Sequence, residues 1–110
     1  MPRLSIPNTL FGRRLREARL RAGFAQDKLG VMIGMDESSS SARISRYETG
    51  THEPPFSLAE KMAATLNVPV AFLYCDDDQM AALLVEYALL NEGAKTRVRA
   101  LVADLSGSEV

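Results

Sequence analysis

Glycines at positions 23, 34 and 50 each close a stretch of helical periodicity. The first half of the chain therefore reads as three short helices joined by tight turns. The spacing predicts a first helix over Leu10–Ala22, with Asn8 or Thr9 as N-cap and an inner stripe of Phe11, Leu15, Ala18 and Ala22. Phe24 turns back toward the core. A second, shorter helix is expected over about Gln26–Ile33, burying Leu29, Met32 and Ile33. A third starts within Ser38–Ser41, runs to about Thr49 and buries Ile44 and Tyr47.

The remainder also reads as helix, because no stretch alternates polar and apolar residues with the β-branched enrichment of a strand. After the proline-stiffened loop Thr51–Phe56, the pattern Ser57-Leu58-Ala59-Glu60 has the form of a capping box. It predicts a fourth helix with Leu58, Met62 and Leu66 inward, stopping near Asn67. Pro69 suits the first turn of a short fifth helix, Val70–Tyr74, with Phe72 and Leu73 closing the core. Asp76–Asp78 mark a break and favour the N-terminus of a sixth helix over about Gln79–Leu90, with Met80, Leu83, Leu84 and Tyr87 on one side. Asn91-Glu92-Gly93 reads as a turn, and a last helix over about Ala94–Leu105 carries Val98, Leu101, Val102 and Leu105. Ser106–Val110 reads as a frayed tail. The expected organisation is an arm at 1–9, a five-helix domain at 10–75, and a C-terminal helical hairpin within 76–110.

At 110 residues the chain supports one compact domain with a small appendage, and its 46% hydrophobic content suffices for a core without disulfide or metal. A single cysteine, Cys75, forms no intramolecular disulfide and follows an apolar segment, which fits a core residue in a reducing setting better than a nucleophile. No apolar run reaches a membrane span and no signal peptide is visible, so the expectation is a cytoplasmic protein without a membrane partner. His52 is the only histidine, so Ser38–Ser41 have no Ser/His/Asp constellation to join, and neither His52 nor Asp76–Asp78 has a second cluster at metal-ligand spacing. No enzyme activity, metal or cofactor is expected.

Net charge is −1, but it is unevenly placed. Residues 1–50 carry nine basic and five acidic side chains, a balance of +4, whereas residues 51–110 carry four and nine, a balance of −5. A polyanion would be drawn to one end only. The third helix alternates small hydroxyls and arginines with two residues suited to burial, as a helix does when one face packs on a scaffold and the other enters a DNA groove. With Ile44 buried, a rotation of about 100° per residue sets Ser39, Ala42 and Arg46 roughly opposite, flanked by Ser38, Arg43 and Ser45.

An ordered set of residues here resembles the Cro/C1-type, phage-repressor-like helix-turn-helix family, also called xenobiotic-response-element regulators. The set comprises Gln26 opening the second helix, Leu29, the Gly34 turn, Ile44-Ser45-Arg46-Tyr47-Glu48-Thr49-Gly50, prolines 54 and 55 in the next loop, and Val68-Pro69 before the fifth helix. The resemblance covers residues 10–74 and implies an all-α, five-helix lambda-repressor-like domain that binds DNA. It further implies that Ser41, Ala42 and Arg46 face bases, that Gln26, Thr49 and Gly50 contact phosphate, and that Arg19 and Glu48 form an ion pair between helices one and three. Gly30 takes a place the family keeps small so that helices two and three can approach closely. In side-chain terms, Arg46 matches a guanine edge, Ala42 a thymine methyl, Arg43 a phosphate, and Gln26 a phosphate through its amide. Ser39, Ser40 and Ser41 complete the candidate DNA-binding set. Arg3, Arg13, Arg14 and Arg16 are further candidates for phosphate contacts.

Three features depart from the family pattern. The interval from Gly34 to Gly50 is longer by about four residues, one helical turn or roughly 6 Å. Those residues either extend the recognition helix, expected at about 39–49, or lengthen the turn before it. Ala25 is a poor N-cap, and Asp36 and Glu37 lie close to the expected path of DNA. The function implied is a sequence-specific transcriptional regulator, a repressor, bound as a homodimer to a pseudo-palindromic operator, with the apolar segment 79–105 as dimerising element or as cap of a monomer. Two other readings remain. One is an antitoxin whose residues 79–105 grip a protein partner; the other is a protein-interaction module on the same fold, favoured by Asp36, Glu37 and a pI of about 5.8.

Overall fold

The computed structural model describes residues 8–107. Among these, the elements are α1 (Leu10–Ala22), α2 (Gln26–Met32), α3 (Glu37–Thr49), α4 (Phe56–Leu66), a 3₁₀ turn over Val70–Tyr74, α5 (Asp78–Ala88) and α6 (Glu92–Gly107). The all-α reading holds. Arg3 and the end of the tail lie outside the described residues.

Local chemistry fixes most of the boundaries. Thr9 caps α1, its Oγ1 accepting from Gly12 N at 3.0 Å. Gly23, Gly34 and Gly50 sit at φ of 79°, 100° and 84°, the left-handed region that penalises a Cβ, which is why each ends its helix. The extra residues after Gly34 extend the third helix. Asp36 is its N-cap, with the carboxylate accepting from Ser38 N at 3.3 Å and from the Ser38 hydroxyl, so α3 begins at Glu37, earlier than expected.

Elsewhere the caps differ from expectation. Ser57 lies inside α4, whose N-cap is Pro55, so the capping box does not form; the Pro55 carbonyl takes Leu58 N and Ala59 N at 3.0 and 3.1 Å instead. Glu92 and Gly93 are helical rather than a turn, because Asn91 Oδ1 accepts from Ala94 N at 2.8 Å and starts α6 there.

Phe11, Leu15 and Ala18 of α1, Leu29, Ile33, Ile44, Met62, Leu66, Phe72 and Leu73 form one buried cluster. Met35 belongs to it, whereas Met32 and Ala22, expected inside, are exposed. The third helix meets this core along Ser40, Ile44 and Glu48, spaced one turn apart. From α5 only Ala81 and Val85 are buried, and from α6 no residue is. The expected hairpin is thus an open V. Leu83, Leu84 and Tyr87 look across a cleft of about 370 Å³ at Val98, Val102 and Ala103. Arg99 Nη1 donates to Tyr87 Oη at 2.5 Å, and Lys95 Nζ lies 5.7 Å from the Tyr87 ring, holding the two arms together. The molecule is elongated, 55 × 26 × 23 Å.

Candidate nucleic-acid interface

Two close approaches seat α3. A Cβ on Gly30 would lie 1.8 Å from Ser40 Oγ, so α2 and α3 touch through the absence of a side chain. Gly12 does the same for α1: a Cβ there would lie 2.1 Å from the Glu48 carbonyl oxygen. Gly12 escaped the sequence reading because its neighbours in α1 already supplied a full apolar stripe.

Across these contacts runs a continuous polar network. Arg19 Nε and Nη2 donate to Glu48 Oε2 and Oε1 at 2.5 and 3.1 Å, the bidentate pair that the resemblance implied. Both residues are buried. Arg19 Nη1 also donates to Phe24 O at 2.9 Å, which ties the α1–α2 turn to the same group. Gln26 Nε2 donates to Glu48 Oε1 at 3.1 Å, and Gln26 Oε1 accepts from Ser41 Oγ at 3.2 Å. Carboxylate, guanidinium, amide and hydroxyl thus bind the start of α2 to the second turn and the last turn of α3. Such a network leaves little freedom for the helix to roll.

The expected site residues fall into three groups. Ser40 is fully buried and donates from Oγ to Asp27 O at 2.6 Å. Its place in the DNA-binding set is therefore corrected: one turn before Ile44, position 40 falls on the stripe that faces the core and α2. Gln26, Ser41, Ser39 and Thr49 are engaged within the protein, Ser39 with Asp36 O at 3.4 Å and Thr49 with Thr51 Oγ1 at 2.9 Å. Ala42, Arg43 and Arg46 are exposed on the face away from Ile44, and neither guanidinium has a partner among the described residues. Glu37 and Asp36 are exposed at the start of the same helix.

Of the α1 arginines, Arg14 is not available to a phosphate. It is buried, and its guanidinium meets Asp78, Glu17 and the Cys75 carbonyl. Burial works against its charge, but the hydrogen bonds it donates to Asp78 and Glu17, with the charges of those carboxylates, outweigh it, so its pKa lies above the ordinary arginine value. Arg13 is exposed.

Against this geometry, a family profile described as a helix-turn-helix domain matches residues 10–72, more than half of the chain. The chain belongs to the helix-turn-helix family. Within it, the solved structure of the transcriptional regulator BswR is similar over 90% of this chain and 98% of that one, with 38% identity and a TM-score of 0.85. Two HTH-type transcriptional regulators, from Sinorhizobium medicae (strain WSM419) and Rhizobium meliloti (strain 1021), are each 35% identical over 65 residues. That stretch is 59% of this chain, which spans 44% of the length of those two relatives. In this helix-turn-helix unit α2 and α3 are the two motif helices; α5 and α6 lie beyond the residues that the family profile matches. No helix among the described residues is long and apolar enough to cross a membrane.

Proposed function

We propose that this helix-turn-helix protein is a DNA-binding transcriptional repressor that places α3 in the major groove and binds a pseudo-palindromic operator as a homodimer. One observation carries the reading: α3 is locked on its inner side by the Arg19–Glu48–Gln26–Ser41 network, while its outer side presents Ala42 and two arginines, Arg43 and Arg46, that are exposed and have no partner among the described residues. A rigid helix with exposed guanidiniums on one face is suited to meeting base edges and phosphates that a mobile helix would meet only at an entropic cost. Arg46 takes the base-reading role, because a guanidinium bonds bidentately to guanine, and Arg43 the phosphate role. Ala42 lies one turn before Arg46 on the same face, short enough to admit a thymine methyl.

Pairing is supported by the extension. Met80, Leu83, Leu89, Leu101, Val102 and Leu105 are exposed large apolar residues of the extension, and every described residue of α6 is half-buried or exposed. A second copy seated on the open V would cover them and repeat the recognition helix on a two-fold axis. Occupying an operator is enough to block a promoter, so repression needs no part beyond this dimer.

The experiment is a binding titration on duplex DNA at several salt concentrations with wild type, Arg43→Ala and Arg46→Ala. Wild-type affinity should fall steeply with salt. Arg43→Ala should lower the salt slope by about one and weaken all sequences alike, whereas Arg46→Ala should cost about 1–3 kcal/mol on the preferred sequence and relax selection at one position. Salt-independent binding, or equal behaviour of the two variants on every sequence, contradicts the assignment.

A further inference from the structure

The buried arginine that α3 does not use lies at the joint between the helix-turn-helix unit and its extension. Arg14 leaves the middle of α1 and sends Nε to Cys75 O at 2.8 Å and Nη2 to Asp78 Oδ1 at 2.8 Å. Both acceptors belong to the segment that carries the chain out of the 3₁₀ turn and into α5. Its guanidinium lies 5.5 Å from the centroid of the Phe72 ring in the core, and Glu17 takes Nη1 at 3.1 Å from within α1. Arg13 Nη2 approaches the same Asp78 carboxylate at 4.0 Å. The side chain of Arg14 is 3% exposed, that of Asp78 77%: a solvent-facing carboxylate on α5 is gripped by a fork rooted in the core.

Little else fixes the direction of α5. Two small apolar side chains, Ala81 and Val85, are all that it buries, both on one stripe, and α6 buries none. Contacts along one stripe resist sliding but allow tilting about that line. Asp78 lies on that same stripe, but the guanidinium that holds it also holds the Cys75 carbonyl in the link ahead of the helix, and this second point, off the stripe, removes the tilt. A planar fork with two bonds to two points on the link fixes an angle, which a single ammonium could not do.

We infer that Arg14, acting through Asp78 and the Cys75 carbonyl, sets the angle between the recognition helix and the dimerising extension, and so selects the half-site spacing of the operator. The inference rests on the dimer reading given above. Its scale is small: a displacement of each recognition helix by one base-pair step along the duplex is about 3.4 Å. Arg14 is a positioning residue, and it touches no DNA.

The test uses the full chain and a set of duplexes bearing two inverted half-sites at spacings that differ one base pair at a time, together with a duplex bearing one half-site. Asp78→Asn changes an exposed side chain and leaves the core intact; Arg14→Lys keeps the charge and removes the fork. Wild type should prefer one spacing. Both variants should flatten that preference by about fivefold or more, the lower end of ordinary coupling between two sites, with binding to the single half-site unchanged. A wild-type preference that survives in Asp78→Asn overturns the inference and leaves the dimer reading standing. A wild type indifferent to spacing removes the dimer reading, and the inference with it. Loss of single half-site binding in Asp78→Asn shows that the joint supports the fold of the DNA-binding unit instead, and also overturns the inference.

Discussion

At the scale of single residues, the seating of α3 depends on what is missing. Gly12 and Gly30 each leave room for another element, but the obstacles differ. The neighbour of Gly30 is the tip of Ser40, a side chain, whereas the neighbour of Gly12 is the backbone carbonyl of Glu48. The Ser40 hydroxyl can turn aside at the loss of its bond to Asp27 O, although its Cβ, 2.9 Å away, must also give, whereas a helical carbonyl cannot move without its helix. Gly30→Ala should therefore cost about 1–3 kcal/mol, as overpacking does, and Gly12→Ala should cost more and loosen α3 as well. Urea denaturation of both variants checks the order; equal stabilities would show that α1 and α3 can separate freely. The Arg19–Glu48 pair was legible from the family pattern, and so were Gly30 and the exposed Arg43 and Arg46. Ser40 was misread although helical phase alone sets it one turn before the buried Ile44, and Arg14 because a buried arginine resembles a surface one until its acceptors, 61 and 64 positions away along the chain, are known.

At the scale of elements, the acidic residues before α3 gain a reason. Asp36 and Glu37 would repel phosphate, yet Asp36 caps the helix and Glu37 opens its first turn, where the helix dipole favours negative charge. The additional residues that lengthen the segment between Gly34 and Gly50 are thus a further turn of helix at its N-terminal end, begun by that cap. Cap and charge can be separated. Asp36→Ser keeps a side-chain acceptor and removes the charge, so it should leave stability within about 0.5 kcal/mol while tightening DNA binding at low salt. Thermal unfolding and a duplex titration check the two halves; weaker binding would mean that Asp36 takes part in recognition directly. Helix periodicity located all of these elements, but not every cap, since a cap such as Pro55 acts through its carbonyl and leaves no side-chain signature.

At the scale of the whole molecule, the chain divides into a basic unit that buries its core and an acidic extension that leaves its apolar faces open. The sequence showed that α5 and α6 are amphipathic, but the angle between them depends on Tyr87, Lys95 and Arg99 meeting at the vertex, which no periodicity reports. If a second copy covers the open faces, a charge placed there must separate the copies and leave the fold intact. Leu101 is 57% exposed, so Leu101→Glu should unfold no more easily than wild type and yet sediment as a monomer at concentrations where wild type is a dimer. Wild type that remains monomeric at high concentration contradicts the pairing.

The most direct test of the central claim, that two copies of α3 read DNA through Ala42, Arg43 and Arg46, is selection of bound duplexes from a randomised pool by the full chain. The account predicts an enriched, two-fold-symmetric sequence whose half-sites lie about one helical turn, roughly 34–36 Å, apart, with a guanine position that loses its enrichment in Arg46→Ala. A pool that yields no enriched duplex, or one whose preference is untouched by Arg46→Ala, would contradict it.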